Sequence, residues 1–294
     1  MTTQNFGVTT SDVSIHDNII RDLLYLQAES MMVFSQAVTM RSMPSRMLQL
    51  TLPKNKMLEP EMIAEGALAG FQRVEWFDVR EKMDKYQTRV RITDEAKADG
   101  LANVQTEYSL EAAARSLAWT KDTEIKTALL TAVNTGAAKN YYEATACWDN
   151  LSSADIAGDI AKGIGNIFEY TNITEQDIQG LYCFYPATLW GYLAKPVQVG
   201  TLYTPMDKWI QDNYKVTFIP TRQLTDDALL VMKTPETAVH MTYNGSDIPT
   251  SETERIVGIG NDYVITQLFK SFIIPTSSTD SYNYRIQRIY DVVT

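Results

Sequence analysis

The sequence predicts an α+β protein, and three observations carry that reading. A helical pattern of unusual length runs from Leu101 to Val133. Segments with strand-like alternation precede it at 46–52, 73–79 and 85–92, and the last third of the chain is rich in β-branched and aromatic residues. At 294 residues, 45% of them hydrophobic, the chain can form one large domain or two modest ones.

The opening, Thr2 to Ser14, is polar and predicts an extended arm that orders only against another surface. Between Asp17 and Val38, residues Ile20, Leu24, Met31, Phe34 and Val38 fall near helical spacing, with Asp17 or Asn18 as cap, and Pro44 ends any helix there. Arg46 to Leu52 alternates as a half-buried strand does, and Pro53 closes it. Gly66 and Gly70 bracket a turn before strands at 73–79 and 85–92, each with charged residues along one face. A hairpin of such mixed strands cannot bury itself, and two strands alone are marginal in water. It needs a surface, its own domain's or a neighbouring subunit's.

The 101–133 helix would extend roughly 50 Å at 1.5 Å per residue. Its apolar stripe comprises Leu110, Ala114, Leu117, Ile125, Leu129 and Ala132, interrupted by Lys121, and Gly136 suits the left-handed position after its end. A second helix is expected from Ser152 to Tyr170, with Ser152 and Asp155 spaced as a capping box and Ile156, Ile160, Ile164 and Ile167 on one face. Gly158, Gly163 and Gly165 within it suggest close packing against another backbone. A buried strand at 181–184 and a short helix from Pro186 to Leu193 are followed by a strand-then-helix alternation through the Trp209 region, 215–219, 228–232 and 239–243. Segments 256–259, 263–274 and 284–293 complete the β-rich tail.

Catalytic and ligand-binding signatures are mostly absent. Only His16 and His240 are available as imidazole bases, the first in the arm and the second expected on a solvent-facing or edge strand. Cys147 and Cys183 are far apart, outside any Cys-x-x-Cys spacing, and read as buried thiols. Gly163-x-Gly165 and Gly258-x-Gly260 lack the third glycine of a dinucleotide fingerprint and read as packing or turn positions; Asp226-Asp227 reads as a solvated turn. No cofactor and no metal are expected. The formal charge of −10 disfavours binding of nucleic acid by the whole surface. No apolar run is long enough for a membrane helix, and the N-terminus shows no secretory pattern. Sixteen tyrosines fit a chain with extensive interfaces, although many must be core.

Ala64-Glu65-Gly66, then Phe71 to Val79, then Thr93-Asp94-Glu95-Ala96-Lys97-Ala98-Asp99-Gly100 leading into a long helix: this arrangement resembles the tailed-phage major capsid protein family, the Hong Kong 97 type. In that family a Glu-Gly element and a Phe-containing strand belong to an extended hairpin, the E-loop, and a Ser/Thr-x-Glu-Leu-Leu-x-Asp-Ser segment precedes a spine helix. Here Ala-Lys replaces Leu-Leu. The resemblance implies an arm and helix at 1–45, an E-loop at 46–84, a peripheral domain from 85–139 and 226–294 with spine helix 101–133, and an axial domain at 140–225. It further implies an icosahedral shell of pentamers and hexamers, assembled in the host cytoplasm, enclosing double-stranded DNA without sequence-specific binding. Scaffolding, portal or decoration proteins would be separate chains, since the arm is short. The family's covalent cross-linking residues have no match here. Within the E-loop, Lys54, Lys56, Glu59, Glu61, Glu65, Arg73, Arg80 and Lys82 are the expected inter-subunit contacts. Two alternatives stay open: an encapsulin-type nanocompartment shell, and a soluble α+β enzyme with an unrecognised site.

Overall fold

The computed structural model describes residues 32–53, 76–95, 102–133, 140–150, 153–171, 180–199, 202–243, 250–276 and 282–294. The strands are β1 (Thr39–Met43), β2 (Met47–Pro53), β3 (Trp76–Lys82), β4 (Asp84–Thr93), β5 (Tyr141–Glu143), β6 (Leu181–Pro186), β7 (Pro196–Val199), β8 (Leu202–Pro205), β9 (Val216–Thr221), β10 (Ala228–Met232), β11 (Ala238–Tyr243), β12 (Thr250–Ile256), β13 (Gly260–Ile273) and β14 (Ile286–Tyr290). The helices are α1 (Ala102–Thr131), α2 (Ile156–Thr171), α3 (Trp190–Leu193) and α4 (Met206–Tyr214). The fold is mixed α+β and divides into two compact units: 1–44, 83–127 and 240–271 form the first, and 45–82, 128–239 and 272–294 the second. The arm, the Ala64-Glu65-Gly66 turn and the Gly136 helix stop lie outside the described residues.

In the first unit the sheet runs β1-β11-β13-β12, with β4 also paired to β13. Alternation along β4 and β13 gives the sheet two chemically different faces. On one, Tyr86, Val90, Tyr263 and Ile265 meet Ala113, Ala114 and Leu117 of α1, so the expected stripe does pack on the tail strands. On the other, Asp262 stands opposite Arg91 and receives two hydrogen bonds from it, at 2.7 and 2.9 Å. Arg89 bridges Asp262 and Glu254, so one ionic row sews β4, β13 and β12 together. Arg255 clamps Asp94 in the same way at 2.5 and 2.8 Å. The Arg91 and Arg89 bonds hold the Asp262 carboxyl down to about 2.

The two glycines of 258–260 are turn and packing positions, as their spacing suggests. Gly258 takes the left-handed conformation at φ 77°, and a Cβ on Gly260 would collide with the Ile92 carbonyl of β4. Lys121, expected to interrupt the stripe of α1, is buried instead, its ammonium 5.8 Å from the centre of the Phe269 ring. Its aliphatic stem lets a charged residue occupy an apolar face.

The second unit is built on the sheet β5-β14-β10-β6-β9. The strands β10 and β14, from the stretch the resemblance placed in a peripheral domain, are central to this sheet. α2 covers one face, packing Ile156, Ile160 and Ile167 against Tyr142, Leu181, Cys183, Leu230 and Ile289. Each such side chain contributes about 1.5–3 kcal/mol on burial. The helix starts later than the sequence pattern suggests: Asp155 is its cap, accepting from the Gly158 amide at 2.9 Å. A Cβ at Gly158 would strike the Asp155 carboxylate that caps the helix, and one at Gly163 the Tyr142 hydroxyl and Leu230, all side chains and not backbone; nothing lies within 4 Å of a Cβ at Gly165.

Buried polar groups of this unit are tied to loops. Asp159 accepts from the Thr145 amide and hydroxyl and from Trp148 Nε1, at 2.7–3.0 Å. The Asn283 side chain donates to three carbonyls, of Glu236, Thr237 and Ile274, while its own amide donates to the Ala132 carbonyl. Leu129, near the end of α1, is fully buried in this unit.

Candidate subunit-contact surfaces

β2 and β3 pair antiparallel and, among the described residues, hydrogen-bond into no other sheet. The hairpin is therefore formed by 47–53 with 76–82, and not by neighbouring segments 73–79 and 85–92: β4 leaves at Met83 to pair with β13. The reason is register. Leu48, Leu50 and Leu52 stand opposite Glu81, Val79 and Phe77, whereas Met47, Gln49 and Thr51 stand opposite Lys82, Arg80 and Asp78. Among the described side chains, Leu48 is buried while Met47, Gln49, Thr51, Asp78, Arg80 and Lys82 are exposed, so the pair presents a polar face to solvent.

Of the eight expected contact residues, Arg80 and Lys82 are in β3, and both are exposed. They sit on the polar face. Asp78 orders that face by accepting from Gln49 and Thr51, each at 2.8 Å, with Arg80 at 3.7 Å from the same carboxylate. Lys54, Lys56, Glu59, Glu61, Glu65 and Arg73 lie outside the described residues. Met47 and Trp76, which the sequence reading did not single out, flank the charges, each 61% exposed.

Other large exposed apolar side chains mark further surfaces. Trp190 on α3 and Tyr203 on β8 are 63% and 70% exposed in the second unit, and Val257 at the β12–β13 turn is 91% exposed in the first. Contact surfaces are enriched in aromatic side chains, so these positions join the hairpin as candidates. An exposed tryptophan and a core tryptophan look alike in a sequence, which is why spacing alone could not pick them out.

Among the described residues the groups considered as chemical sites are mostly buried or paired. His240 is fully buried on β11, which lies between β1 and β13 and is not an edge strand. Its Nδ1 is 2.8 Å from Ser271 Oγ, but Ser271 is buried as well. Burial lowers the imidazole to about 3, with Lys121 adding repulsion. Cys183 is buried and its thiol pushed well up by desolvation, whereas Cys147 is only partly covered. Asp227, expected at a solvated turn, pairs with Arg288 at 2.7 Å. Among the described residues no group of three His, Cys, Asp or Glu could hold a metal ion, and no helix is long and apolar enough to cross a membrane.

No family model matches the chain, and no curated protein does. Solved structures do. A virus-like particle from Pyrococcus furiosus is 9% identical with a TM-score of 0.64, over 93% of this chain and 99% of that one. The capsid of Myoviridae phage XM1 is 13% identical with a TM-score of 0.64, over 88% and 91%. The capsid of a native gene transfer agent particle is 8% identical with a TM-score of 0.64, over 99% and 93%. At such identities the likeness is one of fold: the chain has the Hong Kong 97-type capsid fold.

Proposed function

We propose that the chain is the major capsid protein of a tailed virus, self-assembling through pentamers and hexamers into an icosahedral shell that encloses double-stranded DNA. The observation that carries this is the β2–β3 hairpin, a two-faced ribbon with no sheet partner among the described residues, on a chain with a capsid fold. In this reading 46–84 is the E-loop, the peripheral domain is drawn from 85–139 and 226–294 with α1 as its spine, and the axial domain from 140–225. Lys54, Lys56, Glu59, Glu61, Glu65, Arg73, Arg80 and Lys82 then meet a neighbouring subunit. Many moderate contacts per subunit, multiplied by closed symmetry, yield a stable shell from weak and correctable interfaces. Packaged DNA is held by enclosure and not by sequence, in keeping with the charge of −10.

Negative-stain microscopy and light scattering of the purified protein test the assembly, with closed particles or capsomers expected. A monomer at every concentration and ionic strength, with scaffolding protein supplied, would sink the proposal. Nuclease-protected DNA inside native particles separates a virus shell from a nanocompartment, which would hold a cargo protein instead.

A further inference from the structure

We propose that His240 is an acid-sensitive latch in the helix-and-sheet layer of the first unit: its imidazole fits its site only uncharged, so acidification opens the packing of β11 and β13 around it. The geometry is specific. Nδ1 lies 2.8 Å from Ser271 Oγ, while Nε2 is buried and has no hydrogen-bond partner. A neutral ring tolerates this with its proton on Nδ1, donated to the serine, and a bare lone pair on Nε2. A charged ring must carry a second N–H, which would point at no acceptor. The Phe269 ring lies beside it, 5.7 Å between centres, and the Lys121 ammonium lies over that same Phe269 ring.

No acceptor lies within hydrogen-bond reach of Nε2, and the carboxylates on the elements packed around it each hold another partner, Glu124 through one oxygen while its other is buried without one. From α1, Glu124 is turned to the sheet backbone, accepting from the Ser271 amide at 3.0 Å, and Asp122 accepts from the Phe34 amide at 2.8 Å. From β13 and β4, Lys270 and Asp84 pair with each other at 2.7 Å, and Tyr86 is stacked on Phe269. Ser271 therefore touches both elements, its amide bonded to Glu124 of α1 and its hydroxyl to His240 of β11, and loss of the imidazole from its site frees the second of these contacts.

Two of these groups titrate with opposite signs, which fixes the form of the test. His240 sits at about 3 in the fold and near its ordinary 6.5 when unfolded, so its contribution to stability is lost progressively as pH falls from about 6.5 towards 3. Burial raises Asp122 to about 6, so the folded state takes up that proton more readily than the unfolded chain and gains stability as pH falls from about 6 towards 4. The wild-type profile alone mixes the two. A comparison with His240→Gln, which keeps a side-chain hydrogen-bonding group but cannot titrate, isolates the latch.

Urea unfolding of the full-length chain, wild type and H240Q, is measured from pH 7.5 to pH 4.5. The ratio of their unfolding constants, wild type over variant, is expected to rise about tenfold per pH unit below 6. Parallel profiles overturn the proposal. A second measurement needs no change at the latch: the chain has only two histidines, so His16→Gln leaves His240 as the single imidazole for NMR titration. The ring should stay neutral in the folded protein down to pH 5, and a folded-state midpoint near 6.5 overturns the latch even where H240Q fails to fold.

Discussion

The β2–β3 hairpin and the five-stranded sheet of the second unit are both made of alternating strands, yet they are completed differently. In the five-stranded sheet, β10 is flanked by β14 and β6, and α2 seals one face with isoleucines. In the hairpin Leu48 is buried while Gln49 and Thr51 are exposed, but no further strand pairs with it among the described residues. Met47 and Trp76 at its margins are largely exposed. The difference teaches where to look for function in a chain with a capsid fold. A sheet that satisfies itself reports folding, and a ribbon that does not reports association.

The comparison breaks most visibly in the sealed sheet. Leu230 is fully buried on β10 among Tyr142, Cys183 and Ile289. Leu230→Asp places a carboxylate there without a partner, and a loss of more than about 4 kcal/mol is expected, because desolvation of the charge adds to the lost apolar contact. Circular dichroism and expression in soluble form should both collapse. A smaller effect is expected at Asp159, whose carboxylate ties Thr145 and Trp148 to α2. Asp159→Ala leaves the buried Trp148 Nε1 unpaired and should cost about 1–3 kcal/mol in urea unfolding. An unchanged midpoint would show that water replaces the carboxylate.

The charged face of the first unit's sheet provides an intermediate case. Asp262 is held at about 2 by Arg91 and Arg89, below the 3.8 of an ordinary aspartate. A depressed folded value means stability present above pH 3.8 and lost as pH falls towards 2. The difference in urea midpoint between wild type and Asp262→Asn should therefore be constant at neutral pH and shrink between pH 4 and 2. A difference that persists unchanged to pH 2 would show that the carboxylate's charge contributes nothing.

Much of this architecture was legible in the sequence where the pattern was long or strongly apolar. α1 extends over 30 residues, nearly as its periodicity predicts, and β6, β9, β10 and β11 follow their β-branched and aromatic runs. Short elements were not legible: β1, β5, β7 and β8 have three to five residues each, too few to establish a period. The Trp209 region, left unassigned within a strand-and-helix alternation by its sequence, forms α4, where Met206, Trp209 and Ile210 make the i, i+3, i+4 apolar face of a short amphipathic helix. His240 was read as an edge residue because its neighbours Val239 and Met241 fit any strand; only the pairing of β11 shows it to be internal. Charge alternation was enough to place Arg80 and Lys82 on an exposed polar face, while register, which decides which strands form the hairpin, is a long-range property that alternation does not encode.

The smallest effect on stability should accompany the largest effect on assembly. Arg80 is on the polar face of β3, with its side chain 67% exposed and only a long 3.7 Å pairing to Asp78. Exposed pairs of this kind contribute about 0–1 kcal/mol, so Arg80→Glu with Lys82→Glu should leave circular dichroism and the urea midpoint within about 0.5 kcal/mol of wild type. If these cations meet a neighbouring subunit, reversal places like charges across every copy of the interface, and particle yield by sedimentation should fall sharply. Raising the salt concentration should restore part of that yield through screening, because the Debye length shortens from about 10 Å at 0.1 M to about 3 Å at 1 M. Full assembly of the double variant at low salt would remove the cations from the interface and leave the apolar face and Trp76 as the hairpin's contacts. Unfolding of the variant would instead show that the hairpin belongs to the subunit's own core, and the distinction between sealed sheet and open ribbon would have to be given up.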